Sequence, residues 1–391
     1  MTTVVIALDS FKGTIGAAAA TAAVAAGWTS VERDAIVRQR PMADGGEGTI
    51  EAFAAAHPAG VRMSAEVDGP EGSPVTVSWL RLPGYTGLPV QGEAPVPTDA
   101  QARTGAPGDT AVIDLASTSG IQLLSSPRPL DADSRGFGQA IAAALDHGVT
   151  RLILGIGSSA STDGGTGMLR ALGGRFLDAD GEEIAPGARG LLDLEHVDLS
   201  GLRPAPDTLV LTDVVNPLTG PRGAAEVFGP QKGLADPAER RRVDEALLRL
   251  AALCGLDESS SGAGAAGGVG GALMVWGARL VPGAAEVARL IGLREAVAGA
   301  DLVITGEGAF DGQSADGKAP SFVASLAAEA GAPVVLVAGR VQADPSVAGF
   351  CGSVSLSDLA GGDAAASADP ARWLTLAGAR LAADLGQPGR R

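Results

Sequence analysis

Lysines and carboxylates set among glycines are the residues of this chain best placed to do chemistry. Lys318 follows the short apolar run Asp301–Thr305 and a loop of Gly, Asp and Gln; it stands just before SFVASLAAEA, which has helical spacing from Pro320 until Gly331 and Pro333 stop it. A cation at the start of a helix, where free N–H groups and the helix dipole favour an anion, suits phosphate. Lys12 holds the same place in a second strand, loop, helix unit. There Thr3–Leu8 reads as a buried parallel strand, Asp9, Ser10, Phe11, Lys12 and Gly13 as its loop, and Thr14 as the cap of an alanine-rich helix reaching about Gly27. Gly312, Gly317 and Lys318 nearly spell a Walker A loop, but Ala319 replaces the hydroxyl that would hold magnesium, so that motif is excluded. The bland alternatives are a surface lysine at 318 and an Asp9–Lys12 ion pair.

Four more corners carry polar groups. Asp44, Gly45, Gly46 and Glu47 lie between the short strand Ala35–Gln39 and a helix over Thr49–Ala56; the two carboxylates fit magnesium or sugar-like hydroxyls, and equally fit first-turn acids that complement the helix dipole. Arg151–Gly155 reads as a buried strand leading into GIGSSASTDGGTGM. Gly155, Gly157 and Ala160 match GxGxxA with Asp178 about 20 residues on, a dinucleotide fingerprint. Against it, the loop is crowded with hydroxyls, and Gly164, Gly165 and Gly167 weaken a helix start. Ser158, Ser159, Ser161 and Asp163 read better as donors and an acid facing a polyhydroxy or phosphate ligand. The strand Leu209–Thr212 runs into Asp213 and Asn216 and a Pro and Gly loop bearing Arg222, Gln231 and Lys232, the kind of loop that positions something. Finally, GAGAAGGVGG at 262–271 fits either a backbone approach to phosphate or a hinge. His57, His147 and His196 have neither metal-ligand spacing nor a nucleophile beside them, which excludes a histidine-based hydrolase.

The elements that must hold these corners are those of an α/β protein. A chain of 391 residues points to two domains, and 46% hydrophobic residues with 57 Gly and 3% aromatics suit buried parallel strands joined by many turns. The expected architecture is a Rossmann-like parallel-sheet domain from residues 1–60 and 290–391 and a second, mixed α/β domain over 61–289, with the active site in the cleft between them. Within the second, VRMSAEVDG and PVTVSWLRL form a hairpin, Pro83–Asp109 a long loop or flap, Ser134–His147 an amphipathic helix and Pro237–Cys254 a solvent-facing helix. The chain closes with a strand over Val334–Ala338, a weaker one near Ser353 and a helix over Trp373–Leu385. A net charge of -16 argues against nucleic acid and an anionic membrane surface as partners, so each cation in a glycine loop gains weight for an anionic substrate. Two cysteines make no disulfide framework, MTTVVIALDS reads as a strand rather than a signal peptide, and no apolar run approaches about 18 residues, which together place the protein in the cytoplasm.

DSFKG at 9–13, PMADGGEGT at 41–49, GIGSSASTDGG at 155–165, NPLTGPRGAAEVFGPQKG at 216–233, GAGAAGG at 262–268 and ITGEGAFDGQS at 304–314, taken in series, closely resemble the bacterial glycerate kinase family. The resemblance spans nearly the whole chain in order. It implies ATP-dependent, magnesium-dependent phosphorylation of D-glycerate, and the class with these motifs forms 2-phosphoglycerate rather than 3-phosphoglycerate. The expected assembly is a monomer or homodimer. On this basis Lys12 and Lys318 are expected to neutralise phosphoryl oxygens, and backbone donors of Gly157, Ser158, Ser159, Gly264 and Gly267 to cradle phosphates. Asp44, Glu47 or Asp213 is expected to bind magnesium, and Asp163 or Asp311 to act as the base. Asp9, Ser10, Gly45, Gly46, Asn216, Arg222, Lys232, Glu307 and Gln313 are expected to contact nucleotide or substrate. The chain departs from the family's usual residues at Ser158, Ser161, Thr162 and Ala309, the last standing where an arginine is usual. The rival readings are an NAD(P)-dependent dehydrogenase using the Gly155 loop, and a non-catalytic binding protein for a small acid.

Overall fold

The computed structural model describes residues 1–11, 13–85, 108–311 and 319–385. The chain divides into two compact units, one of residues 1–43, 51–58 and 284–391, the other of 44–50 and 59–283. The first unit opens with β1 (Thr3–Leu8), whose six residues TVVIAL are all buried, as a strand covered on both faces requires. It pairs in parallel with β2 (Ile36–Gln39). In the second unit β3 (Val61–Asp68) and β4 (Pro74–Leu82) form an antiparallel hairpin with Asp68 opposite Pro74. β5 (Thr110–Asp114) and β6 (Arg151–Gly155) follow as buried parallel strands, then β7 (Arg175–Leu177) and β8 (His196–Asp198) as a separate antiparallel pair. β9 (Asp207–Leu211) and β10 (Arg279–Val281) complete a mixed sheet ordered β10-β9-β6-β5-β4-β3. Back in the first unit, β11 (Leu302–Phe310), β12 (Val334–Val341) and β13 (Gly352–Ser355) finish an all-parallel sheet ordered β13-β12-β11-β1-β2.

Each unit closes its own core. In the first, Val4, Ile6 and Leu8 pack with Val24 and Trp28 of the helix Ala17–Val31 and with Leu374 and Ala377 of the helix Pro370–Leu385. The two helices meet through glycine: a Cβ on Gly27 would stand 1.9 Å from the Thr375 carbonyl oxygen. In the second, Ile113, Leu152, Leu154 and Val210 pack with Phe137 and Ile141 of the helix Arg135–Asp146 and Leu247 and Leu250 of the helix Pro237–Cys254. Burying side chains of this size stabilises by roughly 1.5–3 kcal/mol each.

Two local expectations are corrected. Thr14 does not cap the first helix; its hydroxyl donates to the Phe11 carbonyl at 2.7 Å, Gly16 is the N-cap, and the helix runs through the buried Gly27 to Val31. β11 does not end at Thr305 but continues through Gly306, Glu307, Gly308 and Ala309 to Phe310, because β12 also runs on and pairs with it to the end. Gly306 belongs in that strand for lack of space, since a Cβ there would lie 1.7 Å from the Val337 carbonyl oxygen.

Candidate active site

In the second unit, corners far apart in sequence are tied together at the carboxyl ends of β6 and β9. The turn after β2 is shaped by Asp44, whose Oδ1 accepts the Gly46 N–H at 3.0 Å, and by Gly45 at φ +95°. Gly45 is wedged against β9, where a Cβ would stand 2.1 Å from the Leu211 carbonyl oxygen, and its own carbonyl accepts the Gly157 N–H at 2.9 Å. Gly157 in turn has no room for a side chain, its Cβ position lying 2.5 Å from the Gly46 Cα. Glu47 accepts a hydrogen bond from Gln122. Asp213, exposed just past β9, accepts the Gly283 N–H at 2.7 Å, and Gly283 packs directly on the Asp44 carbonyl. Asn216 donates to the Arg222 carbonyl at 2.8 Å and accepts the Gly264 N–H at 3.0 Å through its own carbonyl. Arg222 is exposed and makes no ion pair among the described residues.

The loop from Ile156 to Gly165 is held from beneath. Asp163 is fully buried and meets five donors: Ser161 Oγ at 2.9 Å, Ser134 Oγ at 2.5 Å, and the N–H groups of Ser134, Gly165 and Gly167 at 3.0–3.2 Å. A carboxylate so occupied organises its loop; it has little left for a substrate proton. Lys232, only 4% exposed, reaches under the same loop to donate to Ser159 Oγ at 2.7 Å and to the Ser161 carbonyl. Burial pulls its pKa down to about 8, against the opposing attraction of Asp163. Nearby Asp133 is pushed up to about 6 by burial first and by the Asp163 charge second. Ser158 sits above at φ +60°, exposed, in a conformation few non-glycine residues adopt. Behind the loop, Ala266, Gly267 and Gly268 are all left-handed, and Cβ atoms on Gly264 and Gly267 would stand 2.1 Å from the carbonyl oxygens of Pro217 and Ser161. The glycines of 262–268 thus fasten three loops together. Gly157 and Gly264 spend their N–H groups inside the protein, so the phosphate cradle expected from them loses those two donors.

In the first unit the site residues again crowd the carboxyl strand ends. Asp9 continues the β1–β11 ladder with its N–H on the Gly306 carbonyl at 2.8 Å and accepts the Ser10 N–H at 2.7 Å. Glu307, 8% exposed, pairs in register with Ala338, and Ala309 with Arg340. Asp311 is half-buried at the strand's end. Lys12, Gln313, Lys318 and residues 86–107 of the expected flap lie outside the described residues. No three His, Cys, Asp or Glu side chains among the described residues gather as a metal centre, so Asp44, Glu47 and Asp213 do not form a three-carboxylate cage. Sequence reasoning missed Ser134, Gln122 and Arg340. Arg340 carried the signal that marked Lys12, a cation just past an apolar run, but the run was taken to stop at Ala338. A cleft of about 1210 Å³ lined by Trp28, Asp301 and Cys351 opens at the opposite, amino ends of the first unit's strands.

The glycerate kinase family model matches residues 4–385. The chain is 40% identical to a glycerate kinase of Bacillus subtilis, covering 87% of this chain and 86% of the relative. It is also 40% identical to glycerate 2-kinase of Escherichia coli, covering 88% and 87%. In three dimensions it resembles the crystal structure of a putative glycerate kinase 2 from Salmonella typhimurium, with a TM-score of 0.78, 37% identity and 98% of both chains covered. The dehydrogenase and the non-catalytic binder are therefore not favoured. The structure adds a local reason against the dinucleotide fingerprint: Asp178, its required acid, is occupied by the N–H groups of Asp180 and Glu182, and the helix behind the loop is only Thr166–Ala171.

Proposed function

Because the chain belongs to the glycerate kinase family, we propose that it transfers the γ-phosphoryl group of ATP to D-glycerate and places it on the 2-hydroxyl. The observation that carries this reading is the fastening of the Asp44, Gly155, Asp213 and Gly262 corners to one another in the second unit. Phosphoryl transfer needs alignment and neutralised charge more than covalent chemistry, and rigid loops at strand ends supply alignment. Lys12 and Lys318 are the groups we assign to phosphoryl oxygens. Lys232 keeps the Ser158–Ser161 segment in shape and lends it positive charge from below. Asp44 and Asp213 are both exposed, the Asp213 carboxylate taking the Gly283 N–H and the Asp44 main chain packing on Gly283, and as acids they suit the one or two that magnesium takes when phosphates supply its remaining ligands. When bound, that ion neutralises charge on the phosphates. With Asp163 fully engaged, Asp311 is the remaining candidate to receive the substrate's hydroxyl proton.

The net charge of -16 and the two free cysteines support a cytoplasmic placement; among the described residues no helix is long and apolar enough to cross a membrane. The test is a coupled assay with ATP, magnesium and D-glycerate, the product examined by phosphorus NMR. ADP formation strictly dependent on D-glycerate, with the phosphorus coupled to the C2 proton, is the expected result. Absence of turnover refutes the kinase, and coupling to C3 protons refutes the regiochemistry.

A further inference from the structure

We propose that Arg340 is a substrate-binding residue of this reaction, presenting its guanidinium to an oxyanion at the carboxyl ends of β11 and β12. The inference rests on the kinase reading above. β11 and β12 are parallel with Ala309 opposite Arg340 and Glu307 opposite Ala338, so these four side chains stand on one face at the carboxyl ends of the strands. The same register pairs Leu8 with Gly306, and its next step sets Asp9 beside Glu307. Arg340 thus shares a face and a strand end with acids already assigned to the site, where open α/β sheets take their ligands. Ala309, Arg340's partner across the ladder, has a side chain that ends at its Cβ.

The guanidinium is held without being used up. Its one ion pair among the described residues is Nη1 to Asp363 Oδ2 at 3.2 Å, with the two side chains 51% and 58% exposed. Of five donors, that pair occupies one. Asp363 is tethered in turn, its Oδ1 accepting from Ser357 Oγ at 2.6 Å while the same hydroxyl lies 2.9 Å from the Gly339 carbonyl on Arg340's own strand. The tether limits where the arginine wanders, and a group held near its working position loses less freedom on binding. In a chain of net charge -16 an anionic ligand needs such a local cation, and arginine's planar fork matches two oxygens of a carboxylate or a phosphate. The oxyanion comes either from the hydroxy acid or from the nucleotide, and kinetics separate the two.

The experiment is steady-state kinetics on the full chain with each substrate varied at saturation of the other, for wild type, Arg340→Ala, Arg340→Lys and the double variant Ala309→Arg with Arg340→Ala. Arg340→Ala is expected to raise the KM of one substrate about tenfold or more and the other's less than about twofold, at an unchanged melting temperature. A rise for D-glycerate assigns the carboxylate, and a rise for ATP the phosphate. Arg340→Lys falls between, and the double variant recovers most of the loss because the guanidinium is returned to the same face. Wild-type KM values for both substrates in Arg340→Ala overturn the inference. So does a loss that follows a lowered melting temperature and affects both substrates equally, or a folded double variant that recovers nothing. Wild-type turnover of D-glycerate beside an unaffected Arg340→Ala sinks this inference alone; a wild type without turnover sinks the reaction itself.

Discussion

At the scale of single residues, Lys232 shows how a cation is made to serve a loop. Its ammonium sits among Ser159 Oγ and the Ser161 carbonyl at 4% exposure, which costs stability whenever it carries charge. A lysine whose folded pKa of about 8 lies below the ordinary value of 10.5 contributes stability that is present above about 10.5 and lost as pH falls through about 8. The melting temperature of wild type relative to Lys232→Met should therefore rise between pH 8 and 10.5, by an amount on the order of 2–4 kcal/mol in stability. A difference that stays flat over that range refutes the buried, charged lysine. Lys232→Met is also expected to lower kcat/KM about tenfold or more, since Ser159 and Ser161 lose the group that sets the loop. The glycine-rich loop marked Lys232 as a candidate. Its burial was not readable, because nothing in NPLTGPRGAAEVFGPQKG says that the lysine folds back beneath residues some seventy positions earlier. Asp163 fails to be legible for the same reason: its five donors come partly from Ser134, in another element.

At the scale of elements, glycine is where the sequence both informs and misleads. The α/β class, the parallel strands and the positions of most helices follow from apolar runs and stop signals, and the structure agrees. What a glycine run means depends on partners that sequence order hides. ITGEGAF reads as a strand dissolving into a loop, yet Gly306 is a strand residue against the Val337 carbonyl, and the extra turn of ladder is what brings Ala309 level with Arg340. GAGAAGG reads as a phosphate approach or a hinge, yet Gly267 is pressed on Ser161. Gly267→Ala tests that packing. At φ +71° and with Ser161 O 2.1 Å from the new Cβ, the substitution meets both backbone strain and a clash with main chain. We expect a destabilisation of about 2–4 kcal/mol by urea unfolding and a loss of turnover that exceeds the loss of folded protein. A fully stable and active Gly267→Ala protein refutes the fastening of the 262–268 and 156–165 loops.

At the scale of the whole molecule, chain order and fold order diverge. The second unit draws nearly all its residues from the continuous stretch 59–283, whereas the first is assembled from 1–43, 51–58 and 284–391. Its first strand β1 finds one neighbour, β2, close by, but the other, β11, starts only at Leu302, so that Val4 pairs with Leu302 across most of the chain. Closing so long a loop costs entropy before any contact repays it, and contacts of high sequence separation form late. The hairpin β3–β4 and the β5–β6 pair, by contrast, join segments near in sequence. The second unit should accordingly gain protection first. In refolding from urea followed by pulsed hydrogen exchange and mass spectrometry, peptides covering β5 and β6 are expected to protect in an earlier phase than those covering β1 and β11. Protection of β1 and β11 ahead of, or together with, β5 and β6 would mean that the long closure is not limiting, and that the first unit's core around Trp28 and Leu374 nucleates without the continuous stretch between its parts.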